Sequence, residues 1–205
     1  MRIQGISGSR GVAVGNVYKY IQEEIVIPDY EVTDDQVEAE IGKFASAMAA
    51  TLKQLDTIRQ KALVDMGADE AAIFEAHMQI AQDPSLSDGI KSLVENSKMN
   101  VVAATAQTIE TFAAIFIGMD DPYMRERGAD IKDIGDRLMR NMLGMNPRGL
   151  SHISGEVIIV AHDLAPSDTA SLDKNVVKGI VTAAGGPTSH AAIMARTLEA
   201  PAVMG

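Results

Sequence analysis

Gly185-Gly186-Pro187-Thr188-Ser189-His190 carries the chain's best candidate nucleophile, followed by the helix-like run Ala191-Ala192-Ile193-Met194-Ala195-Arg196. An apolar segment, Gly179 to Ala184, leads into it. Glycines let successive N–H groups converge on one concavity, which suits an anion. Thr188 or Ser189 can cap the following helix. His190 then falls in the first turn, where free N–H groups and the positive end of the dipole favour a phosphate. An imidazole with an ordinary pKa of about 6.5 is a nucleophile near neutral pH. The local chemistry is therefore a histidine that accepts a phosphoryl group on a ring nitrogen. Spacing by itself fits a capping or surface histidine as well.

The rest of the composition bounds the partners of such a site. The 205 residues, 46% of them hydrophobic, suffice for one large or two small cores. No apolar run approaches the roughly 20 residues that span a bilayer, and Met1-Arg2-Ile3-Gln4-Gly5 has no signal-peptide core. The chain has no cysteine, which excludes a disulfide framework, a thiolate metal site and a thiol nucleophile. A cytoplasmic protein is expected. The net charge of −10 argues against nucleic acid and membranes as partners, and favours a basic partner or simple solubility.

Three stretches must position the histidine. Residues 1 to about 27 are glycine-punctuated, and Val12, Val14, Val17, Tyr18 and Tyr20 predict short strands, with Glu24 to Pro28 as another. Thr33 with Gln36 reads as a capping box, and Val37, Ile41, Phe44, Met48, Leu52, Leu55 and Ile58 recur at helical spacing. Further helices are predicted over 70–82, from a cap at Asp83 with Pro84, from Asn100 to Gly118, and from Asp121-Pro122 to Leu143. Residues 33–144 thus form a helical domain with short loops. After Pro147, Glu156 to Ala161 and Val176 to Val181 read as strands, Ala165 to Leu172 opens a short helix, 189–198 is a helix, and Val203 begins another apolar segment. This is an α/β pattern, and the N-terminal strands are expected to return to its sheet. The domains are then 1–32 plus 145–205, interrupted by 33–144.

Gly-Gly-x-Thr-Ser-His-x-Ala-Ile-x-Ala-Arg, followed by Leu198-Glu199-Ala200-Pro201-Ala202-Val203-Met204-Gly205, resembles the phosphohistidine signature of the phosphoenolpyruvate-utilising enzymes. Within them the chain is similar to the enzyme I family of the bacterial sugar phosphotransferase system. Ala72 to His77, Asp121 to Arg137 and Asp163 to Ala170 resemble three further segments of that family. The resemblance covers essentially the whole chain. Arg10 stands where the family usually has proline. The dikinases and phosphoenolpyruvate synthase share the histidine motif, but they commonly have cysteine at the Ser189 position and lack the helical insertion.

The resemblance implies an α/β phosphohistidine (swivelling) domain with an inserted all-α helical-bundle domain, the N-terminal half of a phosphoenolpyruvate-protein phosphotransferase. It implies that His190 carries the phosphoryl group and passes it to a histidine of the small carrier HPr, the first step of sugar uptake. Gly185, Gly186, Thr188 and Ser189 would bind the phosphate. Thr169 matches the position whose hydroxyl contacts the active histidine, although it also reads as a helix-face threonine. Arg196 reads as structural. The HPr-binding positions that match are Asp69, Glu75, Gln79, Ile80, Asp83, Leu86 and Arg127. Some of the family's acids are Ala68, Pro84 and Ser85 here. Residues 65–95 hold seven acids and one lysine, Lys91, a face that would steer a basic partner or simply be solvated.

The family's phosphoenolpyruvate site and its Mg²⁺ lie in a C-terminal barrel. The chain is expected to be that enzyme's trimmed N-terminal half, missing the final strands of the α/β domain. It would have no cofactor or metal of its own, would be a monomer, and would exchange phosphate with HPr without using phosphoenolpyruvate. A paralogue serving a nitrogen-regulatory or dihydroxyacetone-kinase relay, and a non-catalytic helical interaction module, remain as alternatives. His77, on an apolar stripe, reads as a core histidine, and His152 and His162 as surface or loop residues.

Overall fold

The computed structural model describes residues 4–146, 149–150, 153–169 and 172–205. Met1, Arg2, Ile3, Pro147, His152 and Ala170, named above, lie outside the described residues. The chain divides into two compact units. One comprises residues 1–23, 64–66 and 148–205, and the other residues 24–63 and 67–147.

The second unit is helical: α1 (Val37–Asp65, whose last two residues group with the first unit), α2 (Ala68–Ala81), α3 (Pro84–Ser97), α4 (Val101–Ile117) and α5 (Pro122–Leu143). Local chemistry sets its boundaries. A 3-10 turn, Asp34–Gln36, enters α1 through a capping box, in which the Thr33 N–H donates to Gln36 Oε1 at 3.1 Å. The Asp83 carboxylate accepts from the Ser85 N–H at 2.8 Å, with Pro84 as the first helical residue. The Asn100 side chain accepts from the Ala103 N–H at 2.9 Å. Its Nδ2 also donates to the carbonyls of Pro28 and Tyr30. Those two bonds help tie residues 24–32 to the helices, whereas the sequence assigns that segment to the α/β domain.

The core of this unit contains Phe44, Leu86, Ile90, Val94, Val101, Val102, Ile109, Ile134 and Leu138. Helices α4 and α5 approach so closely that two α5 glycines leave no room for a side chain. A Cβ on Gly135 would lie 2.6 Å from two Ile109 carbons, and one on Gly128 would lie 2.5 Å from Ile117.

The first unit is a five-stranded sheet with helices. Its elements are β1 (Ile6–Ser9), β2 (Asn16–Lys19), β3 (Val157–Ala161), α6 (Pro166–Thr169), β4 (Val177–Thr182), α7 (His190–Thr197) and β5 (Ala202–Met204). The strand order is β1-β5-β4-β3-β2. Strands β2 to β5 run parallel, and β1 closes one edge antiparallel to β5. The N-terminal strands therefore do return to the sheet. The β-rich segment around Val12 and Val14 does not form a strand, and both valines are exposed. Glu24 to Pro28 forms none either. Valine-rich composition makes a strand only where a neighbouring ladder accepts it. Helix α7 packs on β1, β4 and β5, and Ile159, Ile180, Met204, Ala191 and Ala195 fill the space beneath. None of the helices is long and apolar enough to cross a membrane, among the described residues.

Two glycine-to-alanine changes should behave oppositely. Gly42, exposed in α1, has nothing within 4 Å of an added Cβ. Gly42→Ala should raise unfolding free energy by about 0.5–1 kcal/mol through helix propensity. Gly135→Ala gains the same propensity but must displace Ile109, and overpacking typically costs about 1–3 kcal/mol. Urea denaturation should show Gly135→Ala net destabilised; equal gains at both positions would contradict the tight α4–α5 seam.

Candidate functional site

The turn before α7 is built by a short set of hydrogen bonds. At the end of β4, the Ala183 N–H donates to the Ala161 carbonyl at 3.1 Å and the Ala184 N–H to the His162 carbonyl at 2.8 Å. Gly185 follows with φ +94°, in the left-handed region, and an added Cβ there would sit 3.0 Å from Ser189 Oγ. That position is glycine for two reasons, backbone conformation and space. Gly186 is different, because a Cβ there would meet nothing within 4 Å. The fold leaves that side of the turn open.

Ser189 is the N-cap. Its Oγ accepts from the Ala192 N–H at 3.4 Å and donates to the Gly186 carbonyl at 2.9 Å, while its own N–H donates to the same carbonyl at 3.0 Å. Of the two cap candidates read from the sequence, Ser189 takes the role and Thr188 is exposed. The Ser189 hydroxyl proton is thus engaged within the turn. His190 is the first residue of α7. Its side chain is half-buried and its Nε2 is shielded from solvent.

Arg196, one helix length on, donates from Nη1 to the Gly8 carbonyl at 2.8 Å and the Pro187 carbonyl at 2.9 Å. It ties the turn to β1, so its structural reading holds.

Helix α6 packs against α7. Thr169 is fully buried, and its hydroxyl lies 3.0 Å from the Pro166 carbonyl and 3.3 Å from that of Ala165, the acceptors for its proton. Beside it, the buried Asp168 carboxylate accepts from the Tyr20 hydroxyl at 2.7 Å and the Ala165 N–H at 3.0 Å. The sequence reading missed this carboxylate. Its signal was local, an acid three residues after Ala165 at a proline-started turn. Tyr20, its other partner, is 148 residues away.

The predicted carrier-binding residues sort into three places. Ile80, Asp83, Leu86 and Arg127 line one groove of about 370 Å³ together with Phe112, Phe116, Met124 and Ile131. Glu75 and Gln79 border a separate hollow with Asp56, Arg59, Met78 and Gln82. Asp69 lies in the first turn of α2. Phe112 and Phe116 lie in the helix the sequence predicts from Asn100 to Gly118. The structure packs them partly against the core, where they also wall the groove.

His77 is fully buried, with Nε2 3.1 Å from an Asp130 carboxylate oxygen and Nδ1 3.8 Å from one of Asp133. Both acids are on α5 and buried. It is a core histidine with polar partners, as its position on the stripe suggested. His162 is exposed.

Comparison with known proteins agrees with this geometry. Residues 4–127 match the family model described as PEP-utilising enzyme, N-terminal, and residues 153–205 match PEP-utilising enzyme, mobile domain. The chain is 45% identical over 203 residues to a phosphoenolpyruvate-protein phosphotransferase of Listeria monocytogenes and 41% identical to that of Haemophilus influenzae, in each case over 99% of this chain and 35% of the relative. It spans about a third of the length of these curated relatives. A solution structure of an enzyme I protein superposes with a TM-score of 0.84 at 39% identity, over 100% of this chain and 82% of that one. An N-terminal domain of the nitrogen enzyme 1 shares the fold, with a TM-score of 0.65 at 24% identity. The chain belongs to the PEP-utilising enzyme family and has the fold of the enzyme I N-terminal domain.

Proposed function

We propose that this chain is the phosphoryl-carrying half of a phosphoenolpyruvate-protein phosphotransferase, with His190 as the carrier and an HPr-like protein as its partner. The observation that carries this reading is His190 itself, the first residue of a capped helix behind a glycine turn whose Gly186 side is open.

A ring nitrogen of His190 attacks the phosphorus of the partner's phosphohistidine. The new N–P bond forms as the old one breaks, and the partner's imidazole leaves with the electron pair. Both nucleophile and leaving group are imidazoles, so the exchange is reversible and needs positioning more than chemistry. Nε2 is buried here, so the imidazole must turn outward before that nitrogen can meet a phosphorus atom. The Thr169 hydroxyl spends its proton on a carbonyl of its own turn. Its oxygen lone pairs remain to accept a ring N–H, and we assign it to selecting the His190 tautomer. The N–H groups around Gly185, Gly186 and Thr188 receive the phosphate; Ser189 acts there through its cap.

The groove of Ile80, Asp83, Leu86 and Arg127 is assigned to the partner. Its apolar walls supply buried contact, and the acids of α2 and α3 steer a basic protein toward it. Capture of phosphate from phosphoenolpyruvate, with release of pyruvate, is assigned to the part of the longer relatives that this chain does not include. Mg²⁺ is assigned there as well, where it would neutralise phosphoenolpyruvate's charge. The protein is read as cytoplasmic and the fragment as a monomer. The stronger likeness to enzyme I than to the nitrogen enzyme favours the sugar relay.

Incubation with phosphorylated HPr should place an acid-labile, base-stable phosphate on His190, and His190→Ala should abolish it. Labelling that persists in His190→Ala overturns the site, and no labelling from any HPr-like carrier leaves the helical interaction module. Phosphoenolpyruvate alone should give no label.

The groove makes a separate prediction. Phe116→Ala should weaken carrier binding about tenfold or more through a faster off-rate. Raised salt should slow association while leaving the off-rate of the unaltered protein nearly constant. Stopped-flow binding resolves the two effects.

A further inference from the structure

Beside β1, one pocket that does not include His190 concentrates positive charge. Ser7, Gly8, Ser9, Arg10 and Arg196 line a pocket of about 420 Å³ beside β1. Two of these five residues are arginines and none is acidic, in a chain with 28 acids and 18 bases. Two arginines and no acid on one pocket wall give a local positive potential that favours an anion. The volume falls within the range of small-molecule sites.

The two arginines differ in what they already do. Arg196 is held in place, and its two hydrogen bonds use Nη1 alone. A guanidinium has five N–H donors in a fixed fork, so Nε and Nη2 are left to serve a ligand. Arg10 follows directly on β1 and is exposed, and it makes no ion pair among the described residues. Nothing in the fold requires an arginine there. A fixed guanidinium beside an uncommitted one is the arrangement that clamps an oxyanion.

We propose that this pocket binds a small phosphate monoester, its dianionic head held by Arg10 and Arg196 and contacted by the hydroxyls of Ser7 and Ser9. Two guanidiniums match a dianion better than a single carboxylate. A polyanion is disfavoured, because the net charge of −10 would repel it. The site does not use His190, so it stands or falls separately from phosphoryl transfer.

The test is titration of this chain with inorganic phosphate and with glycerol 3-phosphate, read from arginine Nε–Hε and backbone amide NMR signals against chloride at matched ionic strength. Saturable shifts at Ser7 to Arg10 and Arg196 are expected with both probes, the ester binding at least as tightly as phosphate. Arg10→Ala should weaken binding about tenfold, the loss of one charge-assisted contact. Shifts that chloride reproduces, or that survive Arg10→Ala undiminished, overturn the site. Exclusion of the ester while phosphate binds overturns the monoester assignment.

Discussion

The closure of the Gly185–Ser189 turn is the constraint on which the candidate site depends. Ser189 makes three hydrogen bonds within it, two to the Gly186 carbonyl and one from the Ala192 N–H. Those bonds require Gly185 in the left-handed region and without a side chain. An N-cap is worth about 1 kcal/mol, a modest sum. Its importance here is positional, because the cap decides that α7 begins at His190 and not a residue earlier or later. Arg196 adds a second restraint, pinning the Pro187 carbonyl to Gly8 of β1. The imidazole is thereby registered to the sheet through two independent paths.

In the helical unit, one helix does the comparable work with different faces. Met124, Arg127 and Ile131 of α5 lie at helical spacing and line the apolar groove. Asp130, Asp133 and Arg137 lie on another face and are buried. The two acids sit beside His77, and the Arg137 guanidinium donates to the Gln54 side chain at 3.0 Å. Burying charge is costly unless it is paired, so these contacts fix the rotation of α5 about its axis. That rotation in turn aims the groove-lining face. The glycines on α5 then set how near α4 can come, and with it Phe112 and Phe116.

The parts legible in the sequence were those fixed by near neighbours. Thr33, Asp83 and Asn100 each cap a helix within three residues, and all three were readable as caps. The His190 turn is local too, which is why its shape could be anticipated. The misread parts depend on distant chain. Val12 and Val14 have strand-forming side chains but no ladder, and Glu24 to Pro28 leads into residues held by Asn100, some 70 residues on. The Asp168–Tyr20 bond could not be seen for the same reason. Phe112 and Phe116 lie four residues apart on α4, a spacing that places them on one face but does not say that the face edges a groove.

If His190 carries phosphate as proposed, the burial of its Nε2 and the shortness of α7 bear on one requirement of such a carrier, that it release what it takes. A helix dipole contributes about 0.3–1 kcal/mol to an anion at its N-terminus, and α7 is only eight residues long. Firm stabilisation of the phosphoryl group would trap it on the histidine. Modest stabilisation keeps the N–P bond close in free energy to that of another imidazole. The cap holds the backbone of His190 while its side-chain torsions stay separate from that restraint. A shielded ring nitrogen can therefore turn outward on a fixed backbone, which is what the proposed exchange with a partner would need.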